Sequence, residues 1–257
     1  MTDKERQRFE VICLEEREAP ERMAEIGTGI GTYGEKRLHR VLKRWLCDDP
    51  QKQELAVGRH VADLVIEDEI FEIQTKNLRA LSEKLKSYLE STEYRVTVIY
   101  PMIAERRLVR MDRETGEVLS VRKSPKKAKW FDALPELYWL REVLGDPRVS
   151  VRLLMITAEE RRYSERVRYR REGAYEGELF PEALTDDWLL SSPSDYEAFL
   201  PMDIDSFTAS EYGSFSGQKG RRLYSCLNLL CALGLLCREK EGRQYRYRGK
   251  KANKKDG

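Results

Sequence analysis

The chain has 257 residues, of which 40% are hydrophobic and 36% charged, which is enough for a sizeable core beneath a heavily charged surface. The N-terminus lacks the apolar segment of a secretory signal, and no run approaches the roughly 18 apolar residues of a membrane span, so neither secretion nor a membrane association is expected. Five cysteines without a CxxC pair, together with only two histidines, argue against structural zinc and indicate reduced thiols in the cytoplasm.

The net charge of +2 is distributed unevenly along the chain. Residues 206–257 carry twelve Lys or Arg and four Asp or Glu, a balance of +8, whereas the remainder carries −6. A charge difference of this kind between parts of a chain indicates that the basic part meets a polyanion.

Composition and periodicity divide the chain into four regions. Residues 1–26 are charged and lack a strong apolar stripe, and they are predicted to form a helical N-terminal arm. Residues 27–158 alternate helical and strand periods, which is typical of an α/β domain. Residues 159–205 are rich in Arg, Tyr, Glu and Pro and are predicted to be an extension and connector, and residues 206–250 to be a small separate domain.

A helix is predicted to begin after the glycine-rich segment 27–34, whose backbone amides could approach a phosphate. Its apolar residues follow the spacing of a buried helix face, at Leu38, Val41, Leu42, Trp45 and Leu46. Glu35 lies in the first turn, within roughly 50° of the centre of that stripe, where the helix dipole favours a carboxylate. On its own, Glu35 fits equally well as an ordinary acidic residue at a helix N-terminus. Its role in a site therefore depends on other carboxylates nearby.

Two further carboxylates are predicted to face each other across a β-hairpin. Residues 60–76 alternate in hydrophobicity around an acidic turn at Glu67-Asp68, which places Asp63 and Glu72 on one face. A two-residue turn pairs Asp63 with Glu72, and a shift by one pairs Asp63 with Gln74. Facing carboxylates repel each other, which is explained if a hard cation such as Mg²⁺ lies between them. The competing interpretation is a solvent-exposed polar face.

These residues resemble the motif of the PD-(D/E)XK, or restriction-endonuclease-like, nuclease superfamily: Glu35 in a helix, Asp63, and then Glu72-Ile-Gln74 on the next strand. The surrounding predicted elements agree with the resemblance, and they are a strand at 54–57, a helix at 78–89 and a strand at 96–100. The resemblance implies an α-β-β-β-α-β core with a mixed sheet, in which Asp63, Glu72 and Glu35 hold Mg²⁺ or Mn²⁺. The chain also resembles an uncharacterised bacterial family that joins such a core to a winged helix.

One position departs from the superfamily motif. Where the superfamily has the lysine that activates water, this chain has Gln74. Glutamine can orient a water but carries no charge, and some restriction enzymes of the superfamily have Gln or Glu at this position. Lys76 lies two residues further on the same face and could supply the charge. The substitution leaves open that catalysis has been lost and that the core only binds.

Residues 206–250 are predicted to form a winged helix-turn-helix. Thr208 is expected to cap a short helix and Ser216 a longer one, followed by a hairpin with a turn at Glu241-Gly242. The longer helix would enter the major groove by its N-terminal residues, and the wing arginines would meet phosphates. The predicted nucleic-acid contacts are Gln218, Lys219, Arg221, Arg222, Arg243, Arg246 and Arg248. The competing interpretation is a winged helix used for dimerisation or protein contact.

Two other basic stretches are weaker candidates for nucleic-acid binding. Residues 122–129 are predicted to form an exposed loop after a hairpin near Thr115-Gly116, with Lys126 and Lys127 as candidate contacts. Residues 161–171 mix Arg and Tyr, types that suit phosphate contact and base stacking.

Two functions are consistent with these patterns. The first is a Mg²⁺-dependent endonuclease that hydrolyses phosphodiester bonds in DNA, in phage defence, restriction or repair. The second is a non-enzymatic DNA-binding regulator that retains an inactive nuclease-like core. Double-stranded DNA is the expected partner in both cases, and the sequence leaves open whether the protein is a monomer or a homodimer.

Overall fold

A computed structural model describes residues 1–18, 32–112, 114–164, 177–202 and 205–249, and among them it leaves the side chains of 32–36, 164 and 177 undescribed. Within this part of the chain the fold is mixed α/β, with a large mixed sheet between two layers of helices. Among the described helices, none is long and apolar enough to span a membrane. All five cysteines lie in the described residues as free thiols.

The N-terminal elements are helices α1 (Asp3–Glu18) and α2 (Thr32–Leu46), strands β1 (Gln53–Val57), β2 (His60–Ile66) and β3 (Glu69–Ile73), and helix α3 (Leu78–Ser91). The middle elements are strands β4 (Arg95–Asp112) and β5 (Val118–Lys123), the short helix α4 (Leu134–Leu137), and strands β6 (Val149–Ser164) and β7 (Gly177–Leu190). The C-terminal elements are strand β8 (Ser206–Thr208), helices α5 (Ala209–Ser216) and α6 (Gly220–Ala232), and strands β9 (Leu236–Glu241) and β10 (Gln244–Gly249).

The large sheet has the strand order β1-β2-β3-β4-β6-β7, and β5 pairs with β4 beside this path. Strands β1, β2 and β3 form an antiparallel meander, β4 runs parallel to both β3 and β6, and β7 is antiparallel to β6. Parallel strands need a crossover connection, and α3 supplies it between β3 and β4. The predicted strand at 96–100 is therefore only the first part of the much longer β4.

The hairpin of β2 and β3 has the predicted two-residue turn at Glu67-Asp68, because Ile66 pairs with Glu69 and Val65 with Ile70. The last pair in the ladder is Leu64 with Phe71. Continuing this register, the next two opposing positions are Asp63 and Glu72.

One helical layer consists of α1 and α2. The predicted stripe of α2 is confirmed, since Leu38, Val41, Leu42 and Trp45 are buried. They share a hydrophobic cluster with Phe9, Ile12 and Cys13 of α1, and full burial of one such side chain contributes about 1.5–3 kcal/mol. Residues 3–18 are helical as predicted, but they pack against α2 and β7 and do not form a separate arm. The rest of the predicted arm, residues 19–26, lies outside the described residues.

The opposite layer joins α3 to the C-terminal elements. Leu85 and Tyr88 of α3 belong to the same buried cluster as Leu227 of α6 and Tyr247 of β10. Residues 206–249 therefore share one core with the sheet, although a separate small domain was predicted. The predicted boundary at residue 158 falls inside β6, and most of the predicted connector 159–205 that is described belongs to the strands β6 and β7.

The C-terminal elements follow the predicted order with two displacements. Thr208 caps α5 through a reciprocal pair of hydrogen bonds with Glu211, as predicted. Ser216 ends α5, and α6 begins at Gly220, so the prediction that Ser216 caps the longer helix is wrong. The turn of the C-terminal hairpin is Gly242-Arg243, and not the predicted Glu241-Gly242, because Glu241 pairs with Gln244. Strands β8, β10 and β9 form a separate three-stranded sheet.

Candidate metal centre and basic surface

Asp63 lies at the end of the β2–β3 ladder and is contacted from β3 and α2. Its Oδ2 accepts hydrogen bonds from the backbone N–H of Ile73 at 2.8 Å and from His39 Nε2 at 3.2 Å. The ammonium of Lys43 is 3.8 Å from Oδ1. Burial acts to raise the pKa of Asp63, but the hydrogen bonds and positive charge around it outweigh burial and leave the pKa lowered. Asp63 is therefore ionised in the neutral pH range.

Glu72 is the second carboxylate, and it is only 3% exposed. Its Oε2 accepts a 2.6 Å hydrogen bond from Lys84 Nζ, and its Oε1 accepts one of 3.0 Å from the Tyr88 hydroxyl. Burial raises the pKa of Glu72, and the negative charge of Asp63 raises it further. Neighbouring carboxylates whose pKa values move in opposite directions are typical of sites where the two groups have different tasks.

A third acidic residue, Glu54, lies opposite Asp63 on β1, in the register set by the pairs Gln53–Leu64 and Leu55–Ala62. Its backbone has a φ of 54°, in the left-handed region, which costs a non-glycine residue on the order of 1–2 kcal/mol. Its carboxylate accepts a 2.9 Å hydrogen bond from Lys43. Glu54, Asp63 and Glu72 thus occupy neighbouring positions on β1, β2 and β3. Lys43 of α2 contacts Glu54 and lies near Asp63, whereas Lys84 of α3 contacts Glu72.

The backbone distortion at Glu54 coincides with a change of face along β2. Ala62 packs in the cluster beneath α3, whereas Leu64 packs in the cluster beneath α2, although alternate residues of a regular strand share a face. Asp63 lies between these two positions. Because β2 changes face at this point, the side chain of Asp63 contacts α2. Its negative charge nevertheless raises the pKa of Glu72, whose carboxylate is bonded to α3.

The two carboxylates suit a hard divalent cation. Mg²⁺ binds to protein through one or two carboxylates together with water and phosphate oxygens, and its ligands must be ionised. Asp63 meets this condition directly, and a bound cation would lower the raised pKa of Glu72. Side chains of His, Cys, Asp and Glu form no group of three or more able to hold a metal within the described residues. The third predicted ligand, Glu35, is in α2, but its side chain lies outside the described residues.

The residues predicted to activate water lie just beyond β3. The backbone N–H of Gln74 bonds to the carbonyl of Ile99, and its side-chain amide donates to the backbone carbonyl of Lys76. Lys76 is exposed. The lysine in direct contact with Glu72 is Lys84 of α3.

The contacts of Asp63 and Glu72 include four side chains that were not predicted as site residues: Lys84, Tyr88, His39 and Lys43. A signal for them existed, because each pair, Lys84 with Tyr88 and His39 with Lys43, has the i, i+4 spacing that places two side chains on one helix face. Which strand that face would meet depends on the tertiary fold, so the spacing alone did not connect these residues to Asp63 or Glu72.

Two of the predicted nucleic-acid contacts instead attach the C-terminal elements to the rest of the protein. Gln218 is only 6% exposed; its amide donates to Asp132 at 2.8 Å and accepts from Arg222 at 3.2 Å. Arg222 also lies 3.2 Å from Glu136 and bonds to the carbonyl of Asp132. Both side chains are committed to residues next to or within α4, so we do not retain them as DNA contacts.

The remaining basic candidates fall into two groups. Lys219, Arg221, Arg243 and Lys126 are exposed. The second group makes contacts within the protein: half-buried Arg246 bonds to Ser206 and lies 3.4 Å from Glu241, and the exposed Arg248 and Lys127 bond to Glu239 and Glu105. In the stretch 161–171, Arg161 and Arg162 pair with Glu159 and Glu160, and residues 165–171 lie outside the described part.

The chain belongs to the family described as a domain of unknown function, DUF8091, whose model matches residues 36–186. It is also similar to an uncharacterized protein of Treponema pallidum (strain Nichols), with 34% identity over 131 residues. That match covers 51% of this chain and 51% of the relative, so the chain spans about half the length of this curated relative. No solved structure matches the chain. The family region contains Asp63, Glu72 and Lys84 and ends before the C-terminal elements.

Proposed function

We propose that this protein is a metal-dependent endonuclease that hydrolyses phosphodiester bonds in DNA. The observation that carries the proposal is the pair Asp63 and Glu72, neighbouring carboxylates on β2 and β3 with pKa values displaced in opposite directions. The negative charge of Asp63 raises the pKa of Glu72, and a bound cation would offset this repulsion. This arrangement is expected if the two carboxylates bind a hard cation.

The order of elements supports the same proposal. From α2 to β4 the chain runs helix, three antiparallel strands, helix, and a strand parallel to the third. This is the α-β-β-β-α-β order that the resemblance to the PD-(D/E)XK superfamily implies, and the proposal assigns Asp63 and Glu72 to the motif positions. Fold likeness alone does not define an activity, so the proposal rests on the carboxylate pair.

The proposed mechanism assigns metal binding to Asp63 and Glu72, with Glu35 as the third ligand that the motif implies. A bound divalent cation would supply Lewis-acid stabilisation of the scissile phosphate and a water of lowered pKa. His39 and the Ile73 N–H orient Asp63, and Lys84 and Tyr88 orient Glu72.

Lys84 takes the place of the missing motif lysine in this proposal. Its ammonium is at hydrogen-bond distance from Glu72, and its side chain is 22% exposed. A positive charge at this position can stabilise the negative charge that develops on a phosphate. Gln74 would then orient water without carrying charge.

Contact with DNA is assigned to the exposed basic residues of the C-terminal elements, Lys219, Arg221 and Arg243. The region 206–257 carries the positive excess of the chain. Phosphate contacts by such residues position a protein on duplex DNA without reading its sequence.

The proposal is tested by cleavage of supercoiled and linear duplex DNA with Mg²⁺ or Mn²⁺. Asp63→Asn and Glu72→Gln should each lower the rate at least about 100-fold, because ligands of a catalytic cation contribute several kcal/mol to the transition state. Circular dichroism should show that both variants fold. Wild-type protein that binds duplex DNA but never cuts it would contradict the proposal and favour the regulator with an inactive core.

A second pair of variants tests whether Lys84 acts through its contact with Glu72 or only by adding positive charge to the surface. Lys84→Met should lower the cleavage rate about 10–100-fold, the usual effect of removing a residue that orients a metal ligand. The matched control is Lys86→Met on the same helix, whose ammonium pairs with Glu83 and Glu142 away from the site. Equal activity of the two variants would remove Lys84 from the mechanism.

A further inference from the structure

The C-terminal hairpin of β9 and β10 has two faces that differ in charge. Alternate residues of a strand share a face, and the pairing of β9 with β10 sets which residues lie together. The outer face balances its charges, because its two arginines pair with its two glutamates, Arg246 with Glu241 and Arg248 with Glu239. The other face, which we call the inner face, consists of Leu236, Arg238, Lys240, Tyr245, Tyr247 and Gly249. The inner face therefore has two cations and no acidic residue, so it holds the positive excess of these strands.

The inner face lies against helix α6. Leu236 and Tyr247 of this face are buried in the same cluster as Leu227 of α6, and the other side chains of the face are exposed. Burial raises the pKa of Tyr247, while Arg238 acts to lower it and Tyr224 of α6 acts to raise it. Tyr224 and Arg238 thus lie near the same buried tyrosine, and they belong to one surface that spans α6 and the exposed part of the inner face.

This surface exposes two tyrosine rings beside cations. Tyr224 and Tyr245 are 53% and 50% exposed, and the guanidinium of Arg238 lies 4.7 Å from the centroid of the Tyr245 ring. Arg221, which the proposed function assigns to phosphate contact, precedes Tyr224 by three residues. This spacing places both side chains on the same side of α6. The aromatic surface is therefore adjacent to the proposed phosphate contact.

The combination of exposed aromatic rings and unbalanced positive charge suits an unpaired nucleic-acid strand. Surfaces that bind such strands stack the bases on aromatic side chains and contact the backbone with cations. Inside a duplex, the flat faces of each base are covered by the neighbouring base pairs, so a tyrosine ring can stack only on an unpaired or terminal base. The tyrosines therefore fit an unpaired strand, whereas Arg221 fits a phosphate of either form.

We propose that the surface of α6 and the inner face binds an unpaired DNA strand by stacking its bases on Tyr224 and Tyr245. With Arg221 on the adjoining duplex, the preferred DNA is a duplex that continues into a single strand. The choice of DNA rests on the proposed function, but the stacking does not require cleavage.

Fluorescence anisotropy of the full chain with two labelled DNA probes tests the proposal, in the presence of a chelator so that no DNA is cut. One probe is a blunt duplex, and the other is the same duplex with a single-stranded overhang of about ten nucleotides, within the usual site size of such surfaces. Wild-type protein should bind the overhang probe more tightly. Tyr224→Ala and Tyr245→Ala should each weaken binding of the overhang probe at least about 5-fold, the usual effect of losing a stacked base, and change binding of the blunt probe less than about 2-fold.

Two kinds of variant show whether stacking is responsible. Tyr224→Phe and Tyr245→Phe keep the rings and should keep the preference for the overhang. The matched control is Phe215→Ala, which removes an exposed aromatic ring of α5 outside this surface and should also keep the preference. Equal wild-type affinity for both probes, alanine variants that retain the preference, or phenylalanine variants that lose it would each overturn the proposal. An overhang preference in a protein that never cuts DNA would contradict the proposed nuclease activity and leave this inference standing.

Discussion

Asp63 and Glu72 are neighbouring carboxylates in different electrostatic surroundings. Asp63 accepts a backbone hydrogen bond and lies beside His39 and Lys43, which favour its charged form. Glu72 is more deeply buried, and although Lys84 and Tyr88 contact it, burial and the charge of Asp63 favour its neutral form. In the metal-free protein, ionised Asp63 therefore stabilises the fold, whereas ionised Glu72 opposes it.

This difference predicts opposite effects of two neutral substitutions at pH 7. Because the pKa of Asp63 is lowered in the folded protein, its ionised form stabilises the fold. This stabilisation is fully present above the unfolded-state pKa and is lost as pH falls through the folded-state pKa. Asp63→Asn should reduce the free energy of unfolding by roughly 1.5–3 kcal/mol, the contribution of hydrogen bonds to a charged group. The raised pKa of Glu72 means that its ionisation costs stability above the unfolded-state pKa, so Glu72→Gln should increase the free energy of unfolding.

Urea unfolding at pH 7 and pH 4, with a chelator present, measures both effects. The differences from wild type should be smaller at pH 4, where the unfolded-state carboxyl groups are substantially protonated. Glu90→Gln alters an exposed residue of α3 and should change little at either pH. An Asp63→Asn variant more stable than wild type at pH 7 would contradict the stabilisation of ionised Asp63 by its surroundings.

At the scale of elements, the C-terminal helices and hairpin have a basic surface and side chains that attach them to the residues around α4. Adjacent arginines of α6 separate the two roles: both are exposed, but Arg222, whose side chain is 48% exposed, bonds to Asp132 and pairs with Glu136. Arg221 is therefore available for a phosphate, and Arg222 holds α6 beside α4.

The salt dependence of DNA binding distinguishes these arginines. Each phosphate contact on duplex DNA contributes about −0.9 to the slope of log K against log salt concentration. Arg221→Ala should flatten the slope by about 0.9, and adding Arg243→Ala should flatten it by about 0.9 again. Arg222→Ala removes the same charge but should leave the slope nearly unchanged and lower the free energy of unfolding. Equal slopes for the Arg221 and Arg222 variants would place DNA on another surface.

Elements with strong local signals were predicted correctly. The apolar stripe of α2, the hairpin turn at Glu67-Asp68 and the cap at Thr208 each depend on residues close together in sequence. The outer parts of β6 and β7 were not predicted as strands of the sheet. Charged residues such as Glu159 and Arg161 interrupt their apolar pattern, and these residues are satisfied by ion pairs visible only in the folded protein.

At the scale of the whole molecule, one core extends beneath α3 and the C-terminal elements. The sequence predicted two domains because periodicity shows where an element is amphipathic but not which surface covers it. Leu227 and Tyr247 contribute to the same buried cluster as Leu85 of α3. Removing residues 206–257 would therefore expose the apolar residues of that cluster that belong to the rest of the protein. Point substitutions in the full chain are therefore the informative experiments for both binding and cleavage.

The opposing positions of Asp63 and Glu72 were predictable from period-2 alternation and the turn length, but their surroundings were not. Both side chains were predicted to share one face, whereas Asp63 contacts α2 and Glu72 contacts α3, which lie in opposite helical layers. The contacts of His39, Lys43 and Lys84 depend on how α2 and α3 pack on the sheet, which local periodicity does not specify.

The most direct test of the proposed metal site is a crystal of the full chain soaked in Mn²⁺ and measured at an X-ray energy where manganese scatters anomalously. The proposal predicts one anomalous peak in contact with both Asp63 and Glu72, and its loss in crystals of Asp63→Asn. Saturating Mn²⁺ with no peak at this position, or with peaks only at other carboxylates, would contradict the assignment of these residues as a metal centre.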